Sequence, residues 1–209
     1  MSNDKCRICR RLGDKLFLKG ERCLSPKCAM VRKPYSPGQK KKRRRGQLSE
    51  YGKELKEKQK LKNWYNLREK QFSNYVKDIL KKRSRVENAS DQLIQVLERR
   101  LDNVVFRLGF ASSRSEARQL TSHRHFLVND KAVNFPSFSL KIGDKVKIRQ
   151  NSLKKNVFKD ISSDIKKQTP PSWLSVDVNK LEGEVKSLPT LEEAAPPVEV
   201  PAIFEFYSR

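Results

Sequence analysis

A formal net charge of +23 on 209 residues constrains this chain more than any other feature of its sequence. Charge of that size repels itself and disfavours a compact state unless a polyanion neutralises it. The core that must resist it is modest. Hydrophobic residues make up 36% and charged residues 34%, which suits one large domain or two small ones. Nucleic acid is the natural partner, because each phosphate covered by lysine or arginine releases counterions and drives binding. An anionic membrane surface is the rival. The sequence offers neither an apolar run long enough to span a bilayer nor an apolar helix face framed by lysine. The opening "MSNDKCRICRR" lacks the apolar stretch of a secretory signal, so the expectation is a soluble, cytosolic protein.

The charge is graded along the chain. Residues 1–48 carry 16 basic and 3 acidic side chains, residues 49–86 carry 12 and 5, residues 87–150 carry 11 and 7, and residues 151–209 carry 8 and 9. Contact with a polyanion is therefore expected mainly towards the amino-terminal side, and the segment after Asn151 has another task.

All four cysteines fall in "CRICRRLGDKLFLKGERCLSPKC". Two residues separate Cys6 from Cys9, four separate Cys23 from Cys28, and thirteen lie between the pairs. Two short-spaced pairs at such a distance form the usual tetrahedral structural zinc site. A reducing cytosol argues against disulfides. Four thiolate ligands leave no open position, so catalytic zinc is disfavoured. Four unligated thiols and an iron–sulfur cluster are the alternatives, the latter without any redox context. Arg7, Arg10, Arg11, Lys15, Arg22 and Lys27 surround the site and are expected to lower the thiol pKa values.

Beyond Lys33, Pro34, Pro37 and Gly38 prevent regular structure, and Lys40, Lys41, Lys42, Arg43, Arg44 and Arg45 are six consecutive cations. Such a run is normally disordered until bound, and a solvated or nuclear-targeting tail is the alternative. Lying between a metal knuckle and a helical segment, it reads better as an arm laid along phosphates. Ser49 can cap a helix whose Glu50, Glu54 and Glu57 alternate with Lys53, Lys56, Lys58 and Lys60. Phe72, Tyr75, Val76, Ile79 and Leu80 then follow the spacing of a buried helical stripe.

Residues 90–150 predict a compact module. Leu97, Leu101, Val104 and Leu108 fall on one face of a helix, with Arg100 and Arg107 flanking it on one side and Glu98 and Asp102 on the other. The cationic edge is then available for phosphate. Gly109 suits a left-handed stop, and Ser113 with Glu116 predicts a capping box opening a second helix. On that helix Arg114 and Arg118 share an outer face. "FLVNDKAVNF" predicts a hairpin turning at Asn129-Asp130, and "KVKIR" a strand with Val146 and Ile148 inward.

At these residues the chain resembles a known family. "LERRLDNVVFRLGFASSRSEARQL" with "FLVNDKAVN" is similar to the RNA-binding module named after the fourth protein of the small ribosomal subunit. "CRICRR", "PYSPGQ", "LSEYGKELKEKQK", "EKQF" and "FEFYSR" follow the order of the bacterial members of that family, so the resemblance covers nearly the whole chain. It implies an α+β fold: a zinc knuckle and basic arm over residues 1–45, a mostly helical domain over 46–88 completed by 172–209, and an inserted α-α-β RNA-binding module over 89–171. Trp173, Leu174, Phe204, Phe206 and Tyr207 are the expected anchors of the returning segment.

The resemblance also implies a function. Family members are structural constituents of the bacterial small subunit in the cytoplasm, binding its rRNA early at a multi-helix junction and nucleating assembly of the subunit body. They lie near the messenger entry path, touch neighbouring small-subunit proteins (the fifth, and as a further candidate the twelfth), and contribute to translational accuracy. No homo-oligomer is expected. The zinc-bearing variant carries its Zn2+ ligands onto Cys6, Cys9, Cys23 and Cys28. The RNA-facing positions carry onto Arg114, Arg118 and the loop of His123, Arg124 and His125. Arg124 departs from the family's usual glycine, so it either alters the loop or adds a cation to it.

Two other classes compete. The same module occurs on pseudouridine synthases, and "RRLD" at 99–102 superficially resembles their aspartate motif. Asp102 lies inside the module, however, and no room remains for a catalytic domain or nucleotide loop. An enzyme is not expected. A DNA-binding zinc protein is the other alternative, and no recognition helix of the usual kinds is evident.

Overall fold

The structure is a computed structural model that describes residues 4–38, 47–82, 88–159, 161–167 and 169–208. It divides into two compact units, Met1–Ser90 with Pro196–Arg209, and Asp91–Ala195.

In the first unit, α1 (Asp4–Leu12) puts Cys9 and Leu12 inward and leaves Arg7 and Arg11 exposed. Two single-turn helices follow, α2 (Glu21–Leu24) and α3 (Ala29–Arg32). Helix α4 (Glu50–Trp64) starts where expected, with the Ser49 hydroxyl accepting from Gly52 N–H at 3.3 Å. Helix α5 (Glu69–Lys81) buries Phe72, Val76 and Ile79.

The unit is completed from the far end of the chain by a helix over Val200–Ser208, numbered α12 below in chain order. It buries Val200 and Ile203. Phe206 lies 5.5 Å from the Tyr51 ring and 4.5 Å from Lys58 Nζ, while Tyr207 Oη donates to Glu69 at 3.1 Å. Phe206 and Tyr207 thus anchor on the helical unit, as expected.

Glu69 joins α4 to α5. Its carboxylate accepts from Lys58 at 2.6 Å and Lys62 at 2.9 Å. Burial pushes the Glu69 carboxyl up, but the two lysines outweigh it and bring it to about 2. A depressed folded-state pKa stabilises fully above the unfolded value, and that stability is lost as pH falls through the folded one. Urea unfolding is therefore expected to show stability falling between about pH 4.5 and 2. Glu69→Gln should flatten this fall by about 1 kcal/mol or less, because the side chain is 47% exposed.

The second unit opens with α6 (Ala89–Glu98) and α7 (Leu101–Arg107). One continuous helix was expected here. Instead Arg100 takes an extended conformation, φ −67° and ψ 137°. The reason is the segment around 136–140, whose main chain needs partners. Leu101 N–H donates to Phe138 O at 2.9 Å, Asp102 N–H to Pro136 O at 3.1 Å, and Leu140 N–H to Arg99 O at 2.9 Å. Leu97, Leu101, Val104 and Leu108 are all buried nonetheless. Gly109 follows α7 at φ 81°. Helix α8 (Arg114–Ser122) is capped by Ser113, which accepts from Glu116 N–H. The capping box is only half formed, because the Glu116 carboxylate accepts from Ser112 N–H instead.

Five antiparallel strands follow, β1 (Phe126–Val128), β2 (Lys131–Ala132), β3 (Lys145–Ile148), β4 (Leu174–Asp177) and β5 (Glu182–Val185), in the order β2-β1-β3-β5-β4. The β1–β2 turn falls at Asn129 and Asp130, both left-handed at φ 48° and 64°. Val146 and Ile148 face the core. Helices α9 (Gln150–Leu153), α10 (Ile161–Lys167) and α11 (Leu191–Ala194) complete the unit.

Residues 172–195 correct the expected boundary. Trp173, Leu174 and Val185 belong to the same core as Leu101, Leu108, Phe126 and Val146, so this segment extends the module rather than the helical domain. Basic β3 meets acidic β5, with Lys145 opposite Glu184 and Lys147 opposite Glu182. A Cβ placed on Gly183 would stand 2.4 and 2.5 Å from the methyl carbons of buried Leu108. A side chain at 183 would therefore force Leu108, at the end of α7, out of its buried position.

Candidate nucleic-acid interface and cysteine cluster

Cys6, Cys9, Cys23 and Cys28 all line one cavity of about 10 Å³, room for a single ion- or water-sized body. No disulfide joins any two of them. Main-chain geometry favours negative charge on the sulfurs: Lys19 N–H donates to Cys23 Sγ at 3.4 Å, and Leu16 N–H reaches Cys9. The expectation of lowered thiol pKa values is overturned at two of the four. Burial pushes Cys9 and Cys23 up, and the neighbouring thiols push them further. The thiols therefore repel one another's ionised forms, and a central divalent cation would reverse that balance. Among the described residues no group of three or more histidine, cysteine or acidic side chains forms an assembled metal site. The donor set and the shared cavity fit zinc in chemistry, without a coordination sphere in place.

The cations fall into three groups. Arg7, Arg11 and Lys33 are exposed, and Lys53 is exposed with Glu50 at 2.8 Å. Arg10 turns back to donate to Tyr35 O at 2.9 Å and covers its ring. Lys40 to Arg45 lie outside the described residues.

The expected cationic edge at Arg100 and Arg107 is corrected. Arg100 is 1% exposed and grips Asp102 with both Nε and Nη2, at 3.0 and 2.7 Å. Arg107 is half-buried and bidentate on Glu98, at 3.0 and 2.9 Å. The helix break causes this. On a continuous helix residues 100 and 102 face apart, whereas an extended Arg100 folds back over the first turn of α7. Arg114 is also tied inward, donating to Asn103 Oδ1 at 2.8 Å and covering the Phe106 ring at 4.7 Å. Arg118 is half-buried.

In the loop after α8, His123 and Arg124 are exposed while His125 is buried. The His125 ring shares a 2.8 Å hydrogen bond with Ser152 Oγ, so it faces inward, contrary to expectation. Arg124 adopts φ 59°. The loop thus keeps the left-handed turn a glycine would make and carries a cation on it. Sequence reasoning passed over Arg149, Lys154 and Lys155, all exposed near this loop. Their signal was the absence of any acid across residues 145–159.

No helix among the described residues is long and apolar enough to cross a membrane. Comparison with known proteins agrees with the charge and the fold. The family described as Ribosomal protein S4/S9 N-terminal domain matches residues 1–98, and the S4 domain matches residues 99–146. Small ribosomal subunit protein uS4 of Syntrophomonas wolfei is 48% identical over 204 residues, 98% of this chain and 96% of that protein. The protein of the same name from Halothermothrix orenii is also 48% identical over 204 residues, with the same coverage. That from Syntrophobacter fumaroxidans is 46% identical over 208 residues, 100% of this chain and 98% of its own. At such identity along its whole length, the chain belongs to the ribosomal protein uS4 family, a structural and non-enzymatic family carrying an S4 RNA-binding domain.

Proposed function

We propose that the chain is a structural constituent of the bacterial small ribosomal subunit, in the cytoplasm, and binds its rRNA directly. The near-full-length identity to relatives named for that subunit carries the reading, and the net charge of +23 is what a primary RNA binder requires. Exposed Arg7, Arg11, Lys33, Lys53, His123 and Arg124 supply contacts to phosphate, joined by the run Lys40 to Arg45. Selection is by shape, since A-form grooves show side chains little sequence. By family resemblance the protein nucleates assembly of the subunit body, sits near the messenger entry path beside the fifth protein, with the twelfth as a further candidate neighbour, and contributes to decoding accuracy. Binding to a small-subunit rRNA transcript, compared with duplex DNA at one salt concentration, tests the reading. Folded rRNA should win, and equal affinities would overturn it.

The same proposal includes structural Zn2+ on Cys6, Cys9, Cys23 and Cys28. The spacing, the shared cavity and the main-chain donors to sulfur support it. The ion would crosslink the segment carrying α1, α2 and α3, whose buried cluster is the small set Cys9, Leu12 and Leu16. Cys23→Ser should weaken zinc binding more than about a hundredfold, beyond what outer-shell changes cost, and loosen these helices. Metal titration with undiminished affinity would remove zinc from the account.

A further inference from the structure

In the second unit two segments distant in sequence are knotted together beside a set of cations. His125 Nδ1 and Ser152 Oγ, both on buried residues, are 2.8 Å apart. Arg149 N–H donates to His125 O at 2.9 Å, Ser152 N–H to Arg149 O at 2.8 Å, and Lys155 N–H to Ser152 O at 3.0 Å. The His125 ring also stands edge-on to buried Phe158, 5.6 Å between centroids. This knot fixes the segment from Arg149 to Lys155 beside the turn His123–Arg124. Burial, then the charges of Lys155, His123 and Arg149, hold the His125 imidazole below its ordinary value, which places those groups around it.

The outward side of the knot is strongly one-signed. Arg124, Arg149, Lys154 and Lys155 are exposed, and none forms an ion pair among the described residues. Residues 117–129 and 145–159 contain no aspartate or glutamate. Arg124 adds a second observation. It is held at φ 59° on an exposed turn, where a glycine would sit without strain. Strain kept at an exposed site points to use of the side chain.

We propose that the turn His123–Arg124 and the segment Arg149–Lys155 form one phosphate clamp, with His125 and Ser152 as its positioning pair, that grips neighbouring phosphodiester groups of a folded RNA. The clamp rests on the reading that the ligand is rRNA. It adds Arg149, Lys154 and Lys155 to the interface and gives the buried histidine a purpose.

The test uses the full chain and a transcript of small-subunit rRNA, with affinity measured across a salt series. The double variant Arg149→Gln/Lys155→Gln changes exposed side chains and should melt as the wild type does. Its log–log salt slope should fall by about two, one for each phosphate no longer neutralised. Arg124→Gly separates strain from charge: it should melt higher, yet bind more weakly with a slope lower by about one. If the wild type prefers folded rRNA over duplex DNA and both variants keep its slope, the clamp is wrong and the rRNA reading stands. If the wild type shows no such preference, the rRNA reading falls and takes the clamp with it.

Discussion

Arg100→Ala is expected to destabilise the second unit by about 3–5 kcal/mol, because it strands a charge in the core. Asp102 is 4% exposed and Arg100 1%. Burial pushes the Asp102 carboxyl up, and the bidentate guanidinium works against that push. Removing both partners should cost much less than removing one. Arg100→Met with Asp102→Leu replaces a buried pair by apolar groups of similar volume, a change that is often neutral or better. Urea unfolding of the two singles and the double therefore gives a large coupling energy. A different outcome would restore the helix-edge reading: Arg100→Ala leaving stability untouched while lowering the salt slope of rRNA binding.

Trp173→Ala is expected to cost about 3–5 kcal/mol, the usual loss for a large aromatic side chain removed from a packed core. Trp173 is 0% exposed and shares its cluster with Leu101, Leu108 and Val185. The location of the damage is as informative as its size. Amide exchange should quicken in β3, β4, β5 and α7, while α4, α5 and α12 keep their wild-type protection. Loss of protection in α4 and α12 instead would return residues 172–195 to the helical domain.

Much of the architecture was legible because it rests on local rules. The Ser49 cap, the stripe Phe72–Val76–Ile79, the Asn129-Asp130 turn and the alternation of KVKIR each need only neighbouring residues. What stayed hidden needs partners far along the chain. Strand β5 reads as the polar EGEV, and its purpose emerges only in register with Lys145 and Lys147. Trp173 is visibly a core residue, yet nothing nearby in sequence says which core. The pairing of Arg100 with Asp102 depends on a helix break induced by main-chain groups at 136–140. His125 differs from His123 by two positions, and only Ser152 reveals that one ring faces in and the other out. Among the proposed sites, cysteine spacing was readable at once, whereas the cations had to be sorted by burial.

The packing of α12 on α4 has a consequence for how the chain matures as it is made. Synthesis runs from the amino terminus, so α4 and α5 emerge long before residues 200–208, with the whole second unit produced in between. Val200 and Ile203, which help to close the first unit, are therefore late arrivals. During that interval the nascent helices must leave Phe72 without the Tyr207 ring that packs beside it in the finished unit. The later unit, contiguous in sequence, is free to condense first.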